Sequence, residues 1–227
     1  MNEKPLRTVK SFVRREGRLT PGQQKALDDI WPKFSLTNDD EPIDFEQLFG
    51  RNAPVVFEIG FGNGASLAEM AKNQPGNNYL GVEVHRPGVG QLLNLIENHQ
   101  LTNLRVECTD AVELLKQRIP DNSLDRVQLY FPDPWHKKRH HKLRIIQPTF
   151  VALLAKKIKQ GGYLHMATDW QHYAEQMLDD LSNSAYFTNC ADNDDYIPRP
   201  EYRPLTKFEQ RGQKLGHGVW DLLFIRQ

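Results

Sequence analysis

Three acidic residues at or near the ends of three consecutive predicted strands are the first side chains of this sequence that could do chemistry. Glu58, Glu83 and Asp110 each follow a short apolar run. Because open α/β sheets bind ligands at the carboxyl ends of their parallel strands, the three carboxylates are expected to line one site. There they could attract a cation or accept hydrogen bonds from hydroxyl and amino groups. Each could instead cap the helix that follows it, and this alternative is strongest for Asp110.

A glycine-rich turn, FEIGFGNG, follows the first predicted strand and contains the first of these acids. A dinucleotide site has the spacing G-x-G-x-x-G, whereas the glycines here, including Gly60 and Gly62, alternate with other residues. Glu58 would repel a pyrophosphate but attract the ammonium and sulfonium groups of S-adenosyl-L-methionine. The turn therefore favours that cofactor, with Glu83 placed for its ribose and Asp110 for its adenine amine. An ordinary turn without a ligand is the alternative interpretation.

The segment Pro132-Asp133-Pro134-Trp135 follows the fourth predicted strand and supplies another carboxylate. Proline restricts the backbone on both sides of Asp133, so this carboxylate is expected to be held in place. A flat ring beside a fixed carboxylate suits the edge of a planar heterocyclic base. A rigid surface loop with an exposed Trp135 is the alternative.

A basic tract runs directly after this segment, from His136 to Arg144, with five Lys or Arg and no acid. Charged tracts are usually solvated, but this one lies beside the expected site and is therefore interpreted as a phosphate contact. Its three histidines have no acidic or cysteine partner within the tract, so no metal site is predicted.

Composition bounds the class of protein. The chain has 227 residues with 29 basic and 29 acidic side chains, so its overall charge does not indicate nucleic acid. Its two cysteines, Cys108 and Cys190, are not spaced as a zinc site or a disulfide framework. No apolar run is long enough to span a membrane, and no N-terminal secretion signal is visible. A cytoplasmic protein without membrane contact is expected.

The first 50 residues lack a clear helical or strand period. Residues 1–25 contain seven Lys or Arg against two acids, and residues 26–50 contain seven acids against Lys33. We predict a polar, partly flexible arm over residues 1–50, either solvated or ordered on a polyanion, and a single domain over residues 51–227.

From residue 55 onward, short apolar runs alternate with segments of helical period, which predicts a doubly wound α/β sheet. Pro148 suits the first turn of a helix, and Gly161-Gly162 is expected to stop that helix after Lys159. Strands are predicted at residues 55–59, 79–84, 104–109, 124–130, 163–167, about 187, and 220–225. Helices are predicted at residues 66–72, 89–99, 111–118, 148–159 and 171–181.

The sequence resembles the bacterial tRNA (guanine-N7-)-methyltransferases along essentially its whole length. The resemblance rests on FEIGFGNG, GVEVHRPG, YFPDPWHKKRHHKLR, ATDW and RPLTKFEQRG, and SFVRREGRLTPGQ resembles the N-terminal arm of that family. It implies a Rossmann-like class I methyltransferase fold with a seven-stranded sheet whose last strand is antiparallel. It also implies methyl transfer from S-adenosyl-L-methionine to N7 of a guanine in the tRNA variable loop, giving 7-methylguanosine and S-adenosyl-L-homocysteine without a metal.

The resemblance also implies residue roles. Cofactor contacts fall at Glu58, Glu83, Asp110 and Asp133, and Asp133 is in addition catalytic. Substrate contacts fall at Lys137, Asp169, Thr206, Lys207, Phe208 and Glu209. RNA contacts fall at Arg139, His140, His141, Lys142, Leu143 and Arg144. The expected partner is tRNA, no obligate protein partner is implied, and both a monomer and a homodimer are compatible.

Three rival functions remain open to the residues alone. A methylase of an exocyclic base amine could use the same Pro-Asp-Pro-aromatic loop, and the methylated atom distinguishes it. A nicotinamide-dependent dehydrogenase is disfavoured by the glycine spacing and by Glu58. A non-catalytic RNA-binding module is disfavoured by the complete set of acids.

Overall fold

The computed structural model describes residues 17–36, 40–193, 195–206, 209–210 and 218–227. Its centre is a seven-stranded sheet of order β3-β2-β1-β4-β5-β7-β6, in which β1 to β5 pair in parallel and β7 runs antiparallel to both of its neighbours. This confirms the predicted seven-stranded α/β class. The strands are β1 Val55–Ile59, β2 Asn78–Val82, β3 Leu104–Glu107, β4 Leu124–Tyr130, β5 Ile158–Thr168, β6 Phe187–Asn189 and β7 Trp220–Arg226.

The helices cover both faces of the sheet, and each face has its own apolar core. Alternate residues of β1 contribute to the two cores, with Val55 and Phe57 in one and Val56 in the other. A strand covered on both faces reads as a continuous apolar run, which is why β1 could be predicted from sequence. The helices are α1 Pro21–Asp29, α2 Trp31–Phe34, α3 Phe45–Phe49, α4 Ala65–Asn73, α5 Arg86–His99, α6 Ala111–Gln117, α7 Pro148–Lys157 and α8 Gln171–Ser182.

Helix α7 ends earlier than expected, and Gly161-Gly162 does not stop it. Ile158 already pairs with Leu124 of β4, and the next pair joins Tyr163 to Arg126, so β5 accommodates extra residues between them. Gly161 has a φ of 78° there, and a Cβ on Gly162 would lie 2.9 Å from the carbonyl oxygen of Asp125. The glycine pair therefore forms a bulge inside the strand, because only glycine fits this close approach.

Three short helices lie within the part of the chain for which the sequence indicated no regular period. Helix α1 begins at a capping box, in which Gln23 N–H donates to Thr20 Oγ1 (3.3 Å) and Thr20 N–H donates to Gln23 Oε1 (2.9 Å). It packs against α5 and buries Ala26 and Ile30. Because α1 buries so few apolar residues, its sequence shows no clear helical period, and the helix was therefore not predicted. Residues 1–16 of the predicted arm lie outside the described residues.

We expect Gly90→Ala to destabilise the contact between α1 and α5. A Cβ at Gly90 would lie 2.9 Å from both Cβ and the carbonyl oxygen of Gln23, so helix α1 must shift. The free energy of unfolding in urea should fall by about 1–3 kcal/mol. Gly22→Ala is the matched control in α1, because a Cβ there meets no atom within 4 Å. Equal stability of the two variants would show that α1 does not pack as described.

Candidate active site

A cavity of about 210 Å³ opens at the carboxyl ends of the first four strands. It lies where the strand order reverses between β1 and β4, which is where ligands bind in open α/β sheets. The loops after β1, β2, β3 and β4 all reach it. Its lining consists of Ile59, Gly60, Val82, Glu83, Val84, Thr109, Asp110, Ala111, Leu129, Tyr130, Phe131, Pro132, Asp133 and Ile145.

The glycine-rich turn forms one wall of this cavity. Gly60 and Gly62 have φ angles of 73° and 60°, and Gly60 N–H donates to the carbonyl of Val82 (2.8 Å). A Cβ at Gly88 in α5 would lie 2.0 Å from the carbonyl oxygen of Gly62. The turn is therefore closely packed from behind, while a Cβ at Gly60 or Gly62 would meet no atom within 4 Å. Such an open, left-handed backbone leaves room for a ligand to approach it closely.

Glu83 lies directly after β2 and is held by three backbone groups. Its Oε2 accepts a hydrogen bond from Gly62 N–H (2.9 Å), and its Oε1 accepts from the N–H groups of Val84 (2.7 Å) and His85 (3.0 Å). A carboxylate has about four acceptor sites, so Glu83 retains capacity for a hydroxyl donor. The same side chain thus supports the glycine turn and lines the cavity.

Asp110 combines the two roles that the sequence left open. It is the N-cap of α6, where Oδ1 accepts a hydrogen bond from Val112 N–H (2.9 Å). It also lines the cavity and is only partly buried. One carboxylate oxygen caps the helix, which leaves Oδ2 for an amino donor on a ligand.

Glu58 is placed differently from the other two acids, because its side chain is 3% exposed and does not line the cavity. The side-chain amide of Gln128 forms hydrogen bonds with three neighbours. Its nitrogen donates to Glu58 Oε2 (3.3 Å), and its oxygen accepts from Tyr130 Oη (2.9 Å) and Arg126 Nε (3.1 Å). Burial raises the pKa of Glu58 to about 8, although the positive charge of Arg126 opposes this. Glu58 is thus largely protonated at neutral pH despite Arg126, and a further cation close to it would favour the ionised form.

We expect Glu58→Gln to flatten the pH dependence of stability. In the unfolded chain Glu58 loses its proton near its ordinary pKa of 4.5, whereas the folded protein keeps it until about pH 8. Stability attributable to Glu58 is therefore complete below pH 4.5 and declines as pH rises towards 8, by on the order of 3 kcal/mol at pH 7. Urea unfolding at pH 5 and pH 7.5 measures this decline. Glu113→Gln, a change at a half-exposed glutamate of α6, should keep the decline, and a decline retained in Glu58→Gln would contradict the burial argument.

The loop that holds Asp133 forms the opposite wall of the cavity. Phe131 and Trp135 have φ angles of 52° and 47°, values that cost bulky residues about 1–3 kcal/mol each. Phe131 N–H donates to the carbonyl of Ala167 (2.8 Å), which anchors the loop to the end of β5. Asp133 itself is exposed and lines the cavity. The backbone that carries the Asp133 carboxylate is therefore held in place.

The basic tract folds as a short 3-10 helix, Lys138–Leu143, and its side chains divide into two groups. The exposed cations are Lys137, Lys138, Arg139 and Lys142. His140, His141 and Leu143 are partly buried. Arg144, expected to contact RNA, is instead buried with 1% exposure, because its guanidinium turns inward to donate to the carbonyl oxygen of Pro134 (2.8 Å).

Asp169 follows the last residue of β5 and is partly buried near the end of β4. An aromatic stack joins the segment that follows β4 to the segment that follows β5, and the sequence analysis did not predict it. The rings of His136 and Trp170 are parallel within 4°, with centroids 4.1 Å apart. The stack ties the segment after Asp133 to the segment after Asp169. The sequence offered one signal for this stack, which is an aromatic ring shortly after the end of each of these two strands.

The C-terminal loop places two of its expected substrate residues in an internal network. Glu209 is 1% exposed, and its Oε1 accepts a hydrogen bond from Arg203 Nη1 (2.7 Å). Its Oε2 accepts from the backbone N–H and the hydroxyl of Thr206, both at 3.0 Å. Glu209 therefore shapes this loop from inside in the described state. Lys207 and Phe208 lie outside the described residues.

Arg203 continues this network into the sheet, where sequence reasoning found no functional residues. Its Nε and Nη2 donate to Asp221 of β7 (both 2.7 Å), and Asp221 accepts from His165 Nε2 (2.9 Å). Burial lowers the pKa of His165, so the ring is neutral and its Nδ1 can accept from Tyr202 Oη (3.0 Å). Burial alone would raise the pKa of Asp221, but hydrogen bonds from His165 and Arg203 outweigh it and lower that pKa. The network supports the Asp133 loop from behind, because Arg203 Cζ lies 5.7 Å from the centre of the Phe131 ring.

Within the described ranges, no group of three or more His, Cys, Asp or Glu side chains is arranged to hold a metal ion. In the same part of the chain, no helix is both long and apolar enough to cross a membrane.

Comparison with known proteins adds sequence relatives and a structural neighbour. A family model described as "Putative methyltransferase" matches residues 52–222. A protein of Klebsiella pneumoniae subsp. pneumoniae named tRNA (guanine-N(7)-)-methyltransferase is 60% identical over 225 residues, covering 99% of this chain and 94% of that protein. A protein of the same name from Alcanivorax borkumensis is 60% identical over 224 residues, with coverages of 99% and 94%. The fold resembles the 16S rRNA methyltransferase KamB, with a TM-score of 0.60, 15% identity and coverages of 81% and 93%.

Proposed function

The chain belongs to the family of tRNA (guanine-N(7)-)-methyltransferases, and from this premise we propose that it methylates N7 of a guanine in the variable loop of tRNA. The observation that carries the proposal is a single cavity with two different walls. One wall holds the glycine turn with Glu83 and Asp110, and the other holds the anchored Asp133 loop beside exposed cations. A cofactor and a base held on opposite walls would meet at the carboxyl edge of the sheet.

The first wall fits S-adenosyl-L-methionine, which when bound supplies an electrophilic methyl group and leaves as S-adenosyl-L-homocysteine. The backbone of Gly60 and Gly62 is open to close approach. Glu83 has remaining acceptor capacity for ribose hydroxyls, and Asp110 Oδ2 can accept from the adenine amine. Glu58 acts from behind the turn, where its carboxylate would ionise in response to the cationic groups of the ligand. No metal is required for this chemistry.

The second wall performs positioning and charge stabilisation. Guanine N7 has a lone pair and no proton, so the chain need not supply a general base. Positive charge develops on the purine as N7 is methylated, and the fixed carboxylate of Asp133 stabilises it. Because the Asp133 loop is held by Phe131 and by strained backbone, the carboxylate does not have to reorganise during the reaction.

The exposed cations beside Asp133 are the proposed contacts to tRNA. Arg139 and Lys142 with their exposed neighbours would neutralise phosphates, and the partly buried His140, His141 and Leu143 would shape the surface between them. Lys137, Asp169 and Thr206 to Glu209 are the proposed substrate contacts. For Glu209 this requires that the loop exchange part of its internal hydrogen bonding for a ligand. A tRNA substrate also supports a cytoplasmic location.

We expect Asp133→Asn to lower kcat by on the order of 10²–10³-fold, because the variant keeps the size of the side chain and removes the stabilising charge. The Kd for tRNA should change little, since binding is carried by phosphate contacts elsewhere. Single-turnover methylation and filter binding measure the two quantities. Asp192→Asn, a change at another exposed carboxylate, is the control. Unchanged turnover in Asp133→Asn would remove this residue from the mechanism.

The proposal is tested by incubating the protein with labelled S-adenosyl-L-methionine and unmodified tRNA transcripts, followed by borohydride and aniline treatment, which cleaves RNA at 7-methylguanosine. We expect label and scission at a variable-loop guanine. Scission elsewhere in the tRNA would overturn the variable-loop assignment. Label without scission would move the methyl group to another atom and favour the exocyclic-amine alternative.

A further inference from the structure

Arg144 is the most enclosed cation beside the proposed active site. It follows the 3-10 helix Lys138–Leu143, and its backbone N–H donates to the carbonyl of His141 (3.0 Å). Its side chain points inward, with 1% of the residue exposed, and the guanidinium carbon lies 4.6 Å from the ring centroid of Tyr173 in α8. A cation in this position is withdrawn from phosphates on the protein surface.

The guanidinium of Arg144 joins three segments that belong to the proposed active site. Its Nε donates to the carbonyl oxygen of Pro134, the residue after Asp133 (2.8 Å). Its Nη1 donates to Gln176 Oε1 in α8 (2.6 Å), and α8 begins directly after Asp169-Trp170. Its own backbone ends the basic helix. One planar group therefore connects the Asp133 loop, the phosphate-contacting helix and the segment that contains Asp169.

The remaining nitrogen, Nη2, is buried and has no hydrogen-bond partner among the described residues. Buried polar groups are nearly always paired, so a buried donor without a partner in the protein calls for an explanation. The guanidinium is therefore held in place by Nε and Nη1.

We propose that Arg144 is a positioning residue for methyl transfer, which holds the Asp133 loop in register with the basic helix, and that it is not a phosphate contact. This inference rests on the proposed role of Asp133. tRNA would bind Arg139 and Lys142 on the exposed side of the basic helix. The same helix ends at Arg144, whose side chain contacts Pro134. Substrate binding and the orientation of Asp133 are thereby coupled.

Lysine cannot replace Arg144 in this role. The two connections use different nitrogens of a planar fork, one directed to Pro134 and one to Gln176. A lysine has a single nitrogen on a flexible stem and cannot maintain both directions with the same geometry. Arg144→Lys therefore keeps the charge of the site and removes the connection.

The test is steady-state and single-turnover methylation of tRNA by the full-length Arg144→Lys protein, together with tRNA binding as a function of salt. We expect kcat to fall on the order of 10²-fold, the cost of a misplaced catalytic group, with the Kd for tRNA and its salt dependence unchanged. Lys142→Ala should instead weaken tRNA binding. It should raise the Kd for tRNA and reduce the log–log salt slope by about 0.7–0.9, the value of one phosphate contact.

Arg226→Lys is the matched control, because Arg226 also donates through Nε to a backbone carbonyl, that of Ala155, away from the cavity. The kcat of Arg226→Lys should stay within about twofold of that of the unmodified protein. This would show that loss of an arginine–carbonyl hydrogen bond away from the cavity leaves catalysis intact. If Arg144→Lys weakens tRNA binding, lowers the salt slope and keeps kcat, Arg144 is a phosphate contact and the proposal is overturned.

Asp133→Asn measured in the same assay separates failure of this inference from failure of the proposed function. A loss of kcat in Asp133→Asn but not in Arg144→Lys would overturn the positioning role alone. No loss in either variant would overturn the role of Asp133, and with it the basis of the inference. If Arg144→Lys fails to fold, the double variant His172→Ala/Gln176→Leu removes both α8 partners of Nη1, since His172 Nδ1 also lies 3.2 Å from it, and unchanged kcat in that variant overturns the proposal.

Discussion

The active site depends on one constraint of the sheet, which is the reversal of strand order between β1 and β4. Strands β2 and β3 extend the sheet on one side of this pair and β5 on the other, so the loops that follow β1 and β4 diverge. The crevice between them has the glycine turn on one wall and the Asp133 loop on the other. Two chemically different half-sites are thereby brought together by backbone topology, before any side chain contributes.

Polar contacts then set the positions of the loops around this crevice. Glu83 holds the glycine turn, Arg144 holds Pro134, and Arg203 with Asp221 supports the wall behind Phe131. Apolar packing on the two faces of the sheet is non-directional and would tolerate many loop arrangements. A buried polar group that loses its partner costs about 1–3 kcal/mol, so the contacts of the buried Arg144, Arg203 and Asp221 favour one loop arrangement over its neighbours.

Much of this architecture was predictable, because the signals are local. Strands β1 and β4 were predicted with their observed bounds, and Glu83, Asp110 and Asp133 do line one cavity. Glu58 was predicted by the same reasoning but lies in the interior. The difference is that Glu83 and Asp110 follow the ends of their strands, whereas Glu58 lies within β1, where alternate side chains face the covered sides of the sheet.

The sequence by itself determined the alternation of strands and helices, the glycine turn, the acids at strand ends and the family, because each depends on neighbouring residues or on a linear motif. Only the tertiary structure decided which charged side chains face the ligand and which support the loops. Lys142 and Arg144 are two residues apart in one basic tract, yet one is exposed and the other is buried against α8. That division depends on contacts with segments distant in sequence, which a linear pattern of charges does not contain.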